Sequence, residues 1–202
     1  MKLKVCGMRE AENIRSLEGV APDFMGLIFF DKSPRDASGY EVKDDLAKGI
    51  ARVGVFVNPA KEEVLEKARN YHLDYVQLHG DESVSLAKEL KDAGLGVIKV
   101  FRVNDELPVE AMRPFEGAVN FFLFDTRTRL FGGSGEKFDW EILKAYPFDT
   151  PYFLSGGIEL EDIGHIKTLD LPGLFAIDIN SRFEVTPGRK DIEKIKKVKE
   201  LL

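Results

Sequence analysis

The stretch VGVFVNPAKEEVLEKARNYHLDYVQL, residues 53–78, contains the pattern that decides the fold. It begins with the apolar run Val53–Val57 and ends with a second run, Tyr75–Leu78, and both are typical of buried strands. Between the runs, Asn58 is predicted to cap a helix and Pro59 to occupy its first position. The apolar residues of this helix share one face: Val64, Leu65, Ala68 and Tyr71. The stretch therefore predicts a strand–helix–strand unit.

The same alternation of apolar runs and amphipathic stretches fills the chain. Eight runs are mostly apolar on both faces, as in parallel strands that are covered on both sides, and about eight helix candidates accompany them. The predicted strands are Leu3–Cys6, Phe24–Phe30, Val53–Val57, Tyr75–Leu78, Val97–Val103, Phe121–Phe124, Tyr152–Leu154 and Leu174–Ile179.

Strand–helix alternation favours right-handed βαβ units in a parallel sheet. Eight such units predict an α/β fold, a compact (β/α)8 TIM barrel that forms a single domain over residues 1–202. An open doubly wound sheet is the alternative. It is disfavoured by the count of eight and because the first strand lacks a G-x-G-x-x-G turn.

Two further stretches are predicted to be helices. The stretch DESVSLAKELKDAG starts with an acidic cap and stops at Gly94, a residue type that favours helix ends. The final stretch, RKDIEKIKKVKELL, carries lysines on one side and an apolar face on the other: Ile192, Ile195, Val198 and Leu202.

Composition narrows the function classes. The net charge of −6 argues against general nucleic-acid binding, which needs a basic face. No apolar run is long enough for a membrane span, and the N-terminus does not have the pattern of a signal peptide. One cysteine cannot form an internal disulfide, so we expect a cytoplasmic protein. Three scattered histidines and that cysteine give no metal-ligand cluster.

In a (β/α)8 barrel the chemistry lies at the carboxyl ends of the strands. Small residues follow strand 7 in Ser155–Ile158, and Asp178–Ser181 ends strand 8. Their backbone N–H groups, with a helix N-terminus, would suit a phosphate, although a plain tight turn is the simpler interpretation. The glycine cluster Gly132–Gly135 after strand 6 is interpreted as a mobile loop over the site.

Cys6 and Asp125 end strands 1 and 6, which can face each other across the barrel mouth. Taken singly, Cys6 could be a small buried hydrophobe and Asp125 a helix cap with Thr126. As a pair, a thiol and a carboxyl on opposite sides of a small substrate form an acid–base pair. This use requires a lowered thiol pKa and a raised carboxyl pKa.

Other polar residues could bind the substrate. Arg35, in the loop after strand 2, could hold a carboxylate with its fork of donors. His79 is predicted to have a structural or positioning role. Phe131 and Phe183 could serve a dimer contact or merely a loop, so monomer and homodimer both remain open.

Seven stretches at strand ends, taken in order, resemble the phosphoribosylanthranilate isomerase family of tryptophan biosynthesis. They run from Lys4 to Asp191: KVCGM, FFDKSPRDAS, GVFVN, VQLHGDE, FDT followed by GGSGEKFDW, LSGGI, and DINSRFE with PGRKD. The resemblance implies a (β/α)8 barrel that converts N-(5-phosphoribosyl)anthranilate, a sugar phosphate, into 1-(2-carboxyphenylamino)-1-deoxyribulose 5-phosphate by an Amadori rearrangement, without cofactor or metal.

The resemblance also implies residue roles. Cys6 is the general base, Asp125 the general acid, and Arg35 holds the anthranilate carboxylate. The phosphate is held by the loops that carry Gly156, Gly157, Asn180 and Ser181. Beyond what the resemblance implies, we also predict His79 and Asp178 among the substrate-binding residues, Asp178 within the phosphate loops.

The last motif departs from the family pattern, because Asn180 and Arg182 stand where serine and glycine are more common. Arg182 adds a charge that could itself reach the phosphate. Two other hypotheses stay open: a different sugar-phosphate isomerase, against which Arg35 argues, and a non-catalytic phosphate binder, against which Cys6 and Asp125 argue.

Overall fold

The strands close into a barrel. In a computed structural model, which describes residues 1–40, 49–126 and 137–202, eight parallel strands pair in the order β1 to β8, and β1 pairs with both β2 and β8. Their bounds are β1 Lys2–Val5, β2 Phe24–Phe29, β3 Ala51–Phe56, β4 Tyr75–Leu78, β5 Gly96–Val103, β6 Phe121–Thr126, β7 Tyr152–Leu154 and β8 Leu174–Ile179. The barrel prediction is confirmed, and the open-sheet alternative is wrong because the sheet has no free edge.

Helices surround the barrel less regularly than predicted. The described ranges contain α1 Ala11–Glu18, α2 Lys61–Tyr71, α3 Val84–Asp92, α4 Val109–Met112, α5 Asp162–Thr168 and α6 Ile192–Leu201. Trp140–Ala145, after β6, forms a 3-10 helix. Pro147 explains why this segment stays short, since the residue before a proline avoids the α conformation and Tyr146 is extended. No helix in the described ranges is long and apolar enough to cross a membrane.

The start of α2 differs from the prediction. The helix begins at Lys61 with Ala60 as its N-cap, so Asn58 is not the cap. Asn58 has a left-handed backbone with φ of 50°. Its side-chain Oδ1 accepts a hydrogen bond from the backbone N–H of Asp81 at 2.7 Å. Asn58 therefore bonds the loop after β4 and does not cap α2.

The cap of α3 is also not acidic. Ser83 caps this helix, because its Oγ accepts a hydrogen bond from the backbone N–H of Leu86 at 3.2 Å. The helix ends at Asp92, and Gly94 follows in the left-handed region with φ of 91°, which confirms it as the stop signal.

The last helix packs as its pattern predicts. Ile195 and Val198 are fully buried. Phe183 is fully buried too, and the Lys194 ammonium lies 5.0 Å from its ring centre. The expectation that Phe183 is an exposed contact residue is therefore wrong, and Phe131 lies outside the described residues.

The barrel interior is apolar below its mouth. Side chains at alternate strand positions form this inner core: Phe24, Val53, Ile98, Val100, Leu123, Phe153 and Ala176. Aromatic rings fill the amino end of the strands, where Phe121 lies 5.1 Å from Phe153 and 4.8 Å from Phe175 between ring centres. A polar ligand inside the barrel can therefore bind only at the carboxyl end of the strands.

A buried ion pair supports one side of that end. Lys99 Nζ lies 2.7 Å from Glu82 Oε2 and donates to the backbone oxygen of Gly80 at 2.7 Å. Glu82 Oε1 accepts from the backbone N–H groups of Asn58 and Gly80 at 2.9 and 2.8 Å. Both side chains are almost completely buried. This pair joins β5 to the loops that follow β3 and β4, and it fixes the segment that begins with His79.

Lys99→Met should lower the free energy of unfolding by about 3 kcal/mol or more, because it leaves the Glu82 carboxylate buried without its cation. Urea unfolding followed by circular dichroism measures this loss. Lys61→Met is the matched control, since it removes the half-exposed Lys61–Glu89 pair and should lower the free energy of unfolding far less than Lys99→Met does. Equal losses for the two variants would contradict this role of the buried pair.

Candidate active site

Polar side chains occupy the interior positions at the carboxyl end of the barrel. Because side chains alternate along a strand, Asp125 follows interior Leu123, and Asp178 follows interior Ala176. His79 Nε2 lies 3.4 Å from Asp125 Oδ2. Cys6 stands directly after β1, the neighbour of β8 in the closed barrel. The structure thus gathers four of the predicted site residues at one mouth.

Two glycines make room around Cys6. A Cβ atom at Gly26 would lie 2.7 Å from Cys6 Sγ, so the neighbouring strand must approach without a side chain. Gly7 has a left-handed backbone with φ of 77°. A Cβ atom there would lie 2.7 Å from Asn180 Oδ1 and 2.9 Å from Arg35 Cδ. Gly7 therefore lets the residues around the thiol close together.

Burial governs the ionisation of Cys6, which is 4% exposed. Burial raises the pKa of its thiol above the ordinary value, and the nearby cations Lys4 and Lys190 oppose this shift only in part. The lowered thiol pKa that the acid–base use requires is therefore not present in the structure without substrate. Loss of hydration on burial outweighs the attraction of both lysines.

Below Cys6 lies a completely buried ion pair. Lys4 Nζ is 2.8 Å from Asp178 Oδ2. Burial alone would lower the pKa of Lys4, but attraction to Asp178 and Cys6 outweighs it and raises that pKa, so Lys4 is a cation. The expectation that Asp178 belongs to the phosphate-binding set is not met by its side chain. Its carboxylate is bound to Lys4 inside the barrel, and a carboxylate repels a phosphate.

His79 connects strand β4 to Asp125. The Gln77 side-chain nitrogen, as assigned, lies 2.9 Å from His79 Nδ1. When Nδ1 accepts from Gln77, the ring hydrogen is on Nε2, which faces Asp125 Oδ2. Asp125 Oδ1 accepts a hydrogen bond from the backbone N–H of Thr126 at 2.9 Å. His79 therefore lies between Gln77 and Asp125, and its positioning role stays a prediction.

Arg35 lies close to Cys6 but is already paired. Its Nε and Nη2 atoms donate to the Glu184 carboxylate at 2.9 and 2.7 Å. Lys190 Nζ lies 2.5 Å from Glu184 Oε1 and donates to Asn180 Oδ1 at 2.7 Å. Although burial opposes it, Arg35 and Lys190 hold the pKa of Glu184 below its ordinary value. The arginine, the lysine and the carboxylate form one charged cluster.

The loop after β7 lies close to Asp125. Gly156 and Gly157 both have left-handed backbones, with φ of 91° and 65°. A Cβ atom at Gly156 would lie 2.7 Å from the backbone nitrogen of Thr126 and 3.1 Å from Asp125 Oδ1. The expected helix N-terminus is further away, because α5 begins only at Asp162, whose Oδ2 accepts the backbone N–H of Glu159 at 2.7 Å.

The loop after β8 turns into a 3-10 helix, Ser181–Phe183, directly after Asn180. Arg182 Nε lies 3.5 Å from Glu159 Oε1, and both side chains are partly exposed. This contact brings the loops after β7 and β8 together at the mouth. The cluster Gly132–Gly135 lies outside the described residues, so its role as a mobile loop stays a prediction.

Several site residues were missed by sequence reasoning. Lys4 could have been found, because it lies two residues before Cys6 on the same strand face. Gln77 has the same relation to His79. Glu184 and Lys190 lie in the motifs DINSRFE and PGRKD but were assigned no role, since only the three-dimensional fold brings them to Arg35.

Some buried polar atoms at the mouth have no hydrogen-bond partner within the part of the chain that the structure describes. These atoms are Gln77 Oε1, Thr126 Oγ1 and Asp178 Oδ1. Such atoms are uncommon in folded proteins and collect at functional sites. In the described ranges, no group of three or more His, Cys, Asp or Glu residues is arranged to hold a metal ion.

Comparisons with known proteins identify the family. A family model described as N-(5'phosphoribosyl)anthranilate (PRA) isomerase matches residues 3–200. A relative from Parabacteroides distasonis, named N-(5'-phosphoribosyl)anthranilate isomerase, is 44% identical over 200 residues, which are 97% of this chain and 90% of the relative.

Solved structures agree. One is a phosphoribosyl anthranilate isomerase in complex with reduced 1-(o-carboxyphenylamino)-1-deoxyribulose 5-phosphate, with a TM-score of 0.82, 28% identity, and coverage of 99% of this chain and 97% of that one. Another, from Thermotoga maritima, shows monomers generated from the dimeric enzyme, with a TM-score of 0.79, 29% identity, and coverage of 100% and 97%. The chain therefore belongs to the N-(5'-phosphoribosyl)anthranilate isomerase family, and it catalyses the Amadori rearrangement of N-(5-phosphoribosyl)anthranilate to 1-(2-carboxyphenylamino)-1-deoxyribulose 5-phosphate in tryptophan biosynthesis.

Proposed function

We propose that Cys6 and Asp125 carry the two proton transfers of this rearrangement. Asp125 protonates the furanose ring oxygen, and the ring opens to a protonated Schiff base. Cys6 then removes the proton from C2', which gives an enolamine that tautomerises to the ketone. The observation that carries this proposal is that a thiol and a carboxyl end β1 and β6 at one barrel mouth.

The proton count of the pair explains how a buried thiol can be the base. The reaction needs a thiolate and a protonated carboxyl, which together hold one proton. A neutral thiol and an ionised carboxyl also hold one proton, so the two forms interconvert without net uptake or release of a proton. The raised pKa of Cys6 favours the second form, and the cations Lys4 and Lys190 limit the cost of reaching the first.

Substrate binding is proposed to use both ends of the mouth. Arg35 binds the anthranilate carboxylate with the part of its guanidinium that Glu184 leaves free. Backbone N–H groups around Gly156, Gly157 and Ser181, with the Asn180 side chain, bind the phosphate. Arg182 is placed to add a charge there, since its contact with Glu159 lies at the same loop.

The location and the oligomeric state remain proposals. We place the reaction in the cytoplasm, as expected for a biosynthetic enzyme with one free thiol. Monomer and homodimer both remain open, and the dimeric enzyme of Thermotoga maritima supports the homodimer.

Cys6→Ser and Asp125→Asn should each lower kcat at least about 100-fold, because each removes one proton transfer. The loss of substrate fluorescence measures turnover. The dissociation constant of the reduced product analogue, measured by calorimetry, should change little, which separates chemistry from binding. Turnover near the wild-type rate in either variant would remove that residue from its proposed role.

The thiol pKa can be measured directly, because Cys6 is the sole cysteine of the chain. The alkylation rate with iodoacetamide should rise with pH, with a midpoint above the ordinary thiol value of about 8.5. The same protein unfolded in urea is the control and should give that ordinary value. Above the folded midpoint kcat/KM should fall, since the pair then holds no proton for Asp125 to donate. A folded midpoint at or below the control value would contradict the effect of burial.

Gly156→Ala should lower kcat by about tenfold or more, because the new methyl group would displace Asp125 and Thr126 in a left-handed turn. Gly164→Ala is the matched control. It lies within α5, where an added Cβ meets no atom within 4 Å of the described chain, so activity should be unchanged. Equal kinetics in the two variants would show that the approach of the loop to Asp125 is unimportant.

A further inference from the structure

The Glu184 carboxylate, which pairs with Arg35, is held in one position by several hydrogen-bond donors. Its side chain is 5% exposed. Oε1 accepts from Arg35 Nε at 2.9 Å, from the backbone N–H of Gly188 at 3.0 Å and from Lys190 Nζ at 2.5 Å. Oε2 accepts from Arg35 Nη2 at 2.7 Å. Four donors from three residues therefore determine where this carboxylate lies.

A small hairpin builds this arrangement. Strands β9, Glu184–Thr186, and β10, Arg189–Lys190, are antiparallel, and Glu184 pairs with Lys190 in their register. Asn13 of α1 anchors the hairpin, because its side chain bonds the backbone oxygen and nitrogen of Lys190 at 3.0 and 2.7 Å. The carboxylate is thus held by a rigid element and not by Arg35 alone.

The pair uses one edge of the Arg35 guanidinium. Nε and Nη2 face Glu184, while Nη1 and the second Nη2 hydrogen form the other edge of the planar fork. The stem of Arg35 lies against Gly7, next to Cys6. The other edge is therefore available to a second carboxylate beside the catalytic thiol.

The charges allow such a second anion. Arg35 and Lys190 supply two positive charges around the single negative charge of Glu184. The cluster therefore keeps a net charge of +1, by that count, and attracts an anionic group. An arginine side chain without a partner loses rotamer entropy when it binds a ligand, and a guanidinium that is already held in place loses less of it.

We propose that Glu184 is a positioning residue that orients Arg35 to receive the carboxylate of the substrate. The proposal rests on the proposed role of Arg35. Glu184 does not touch the substrate, and its effect passes through the guanidinium. Competition between Glu184 and the substrate for Arg35 is the opposite possibility. It is disfavoured because Gly188 and Lys190 would hold the carboxylate in place even without Arg35.

The test compares two ligands by calorimetry: the reduced product analogue and its phenylamino counterpart without the carboxylate. Glu184→Gln should weaken binding of the first by about tenfold or more and of the second by less than about twofold. Glu184→Asp keeps the negative charge but has a shorter side chain, so it should also weaken binding of the first ligand and not of the second. This variant replaces Glu184→Gln in the test if the glutamine variant does not fold. Glu89→Gln, the same change in an exposed pair with Lys61, is the control and should leave both unchanged.

Arg35→Met separates this proposal from the proposed function. It should weaken the carboxylate ligand strongly, and Glu184→Gln should cause no further loss in that background. Equal weakening of both ligands, tighter binding in Glu184→Gln, or an additional loss without Arg35 would each overturn the positioning role. If Arg35→Met itself leaves binding of the carboxylate ligand unchanged, the role of Arg35 in the proposed function is wrong instead.

Discussion

The buried ion pair between Lys4 and Asp178 is the constraint on which the site depends. The two residues are register partners on β1 and β8, the strands that close the barrel. Neither charge could remain inside an apolar barrel without the other, since an unpaired buried charge is very costly. The pair therefore ties barrel closure to the electrostatics of the mouth, and it places a cation beneath Cys6.

Around that pair, glycines determine how closely the proposed catalytic residues and their neighbours can pack. Gly26 leaves room for the Cys6 thiol beside β2. Gly7 lets Arg35 and Asn180 pack against the backbone next to Cys6. On the other side, Gly156 brings the loop after β7 next to Asp125. Three positions without a side chain thus allow these close approaches.

The strands could be predicted from sequence because a parallel barrel strand is apolar on both faces, a property of the run itself. The position of Cys6 and Asp125 at the barrel mouth could be predicted as well, since the end of such a run has a known place in the fold.

The starts of the helices could not be predicted. Asn58 looks like a local cap, but its side chain bonds Asp81 in the next loop, and Ser83 caps α3 in place of the expected acidic residue. The acid–base use requires a lowered thiol pKa, but burial, which the order of residues does not show, raises it. The roles of Glu184 and Lys190 were missed because Arg35, the residue that they surround, is 149 residues from Glu184 along the chain.

The separation between Lys4 and Asp178, 174 residues along the chain, has a consequence for synthesis. Chains are made at about 5–20 residues per second, so Lys4 waits on the order of ten to thirty seconds for its counter-ion. During that time β1 can pair with β2 but not with β8, and Cys6 is not enclosed. The thiol that is sheltered in the finished enzyme is therefore most exposed to oxidation and alkylation while the ribosome is still making the chain.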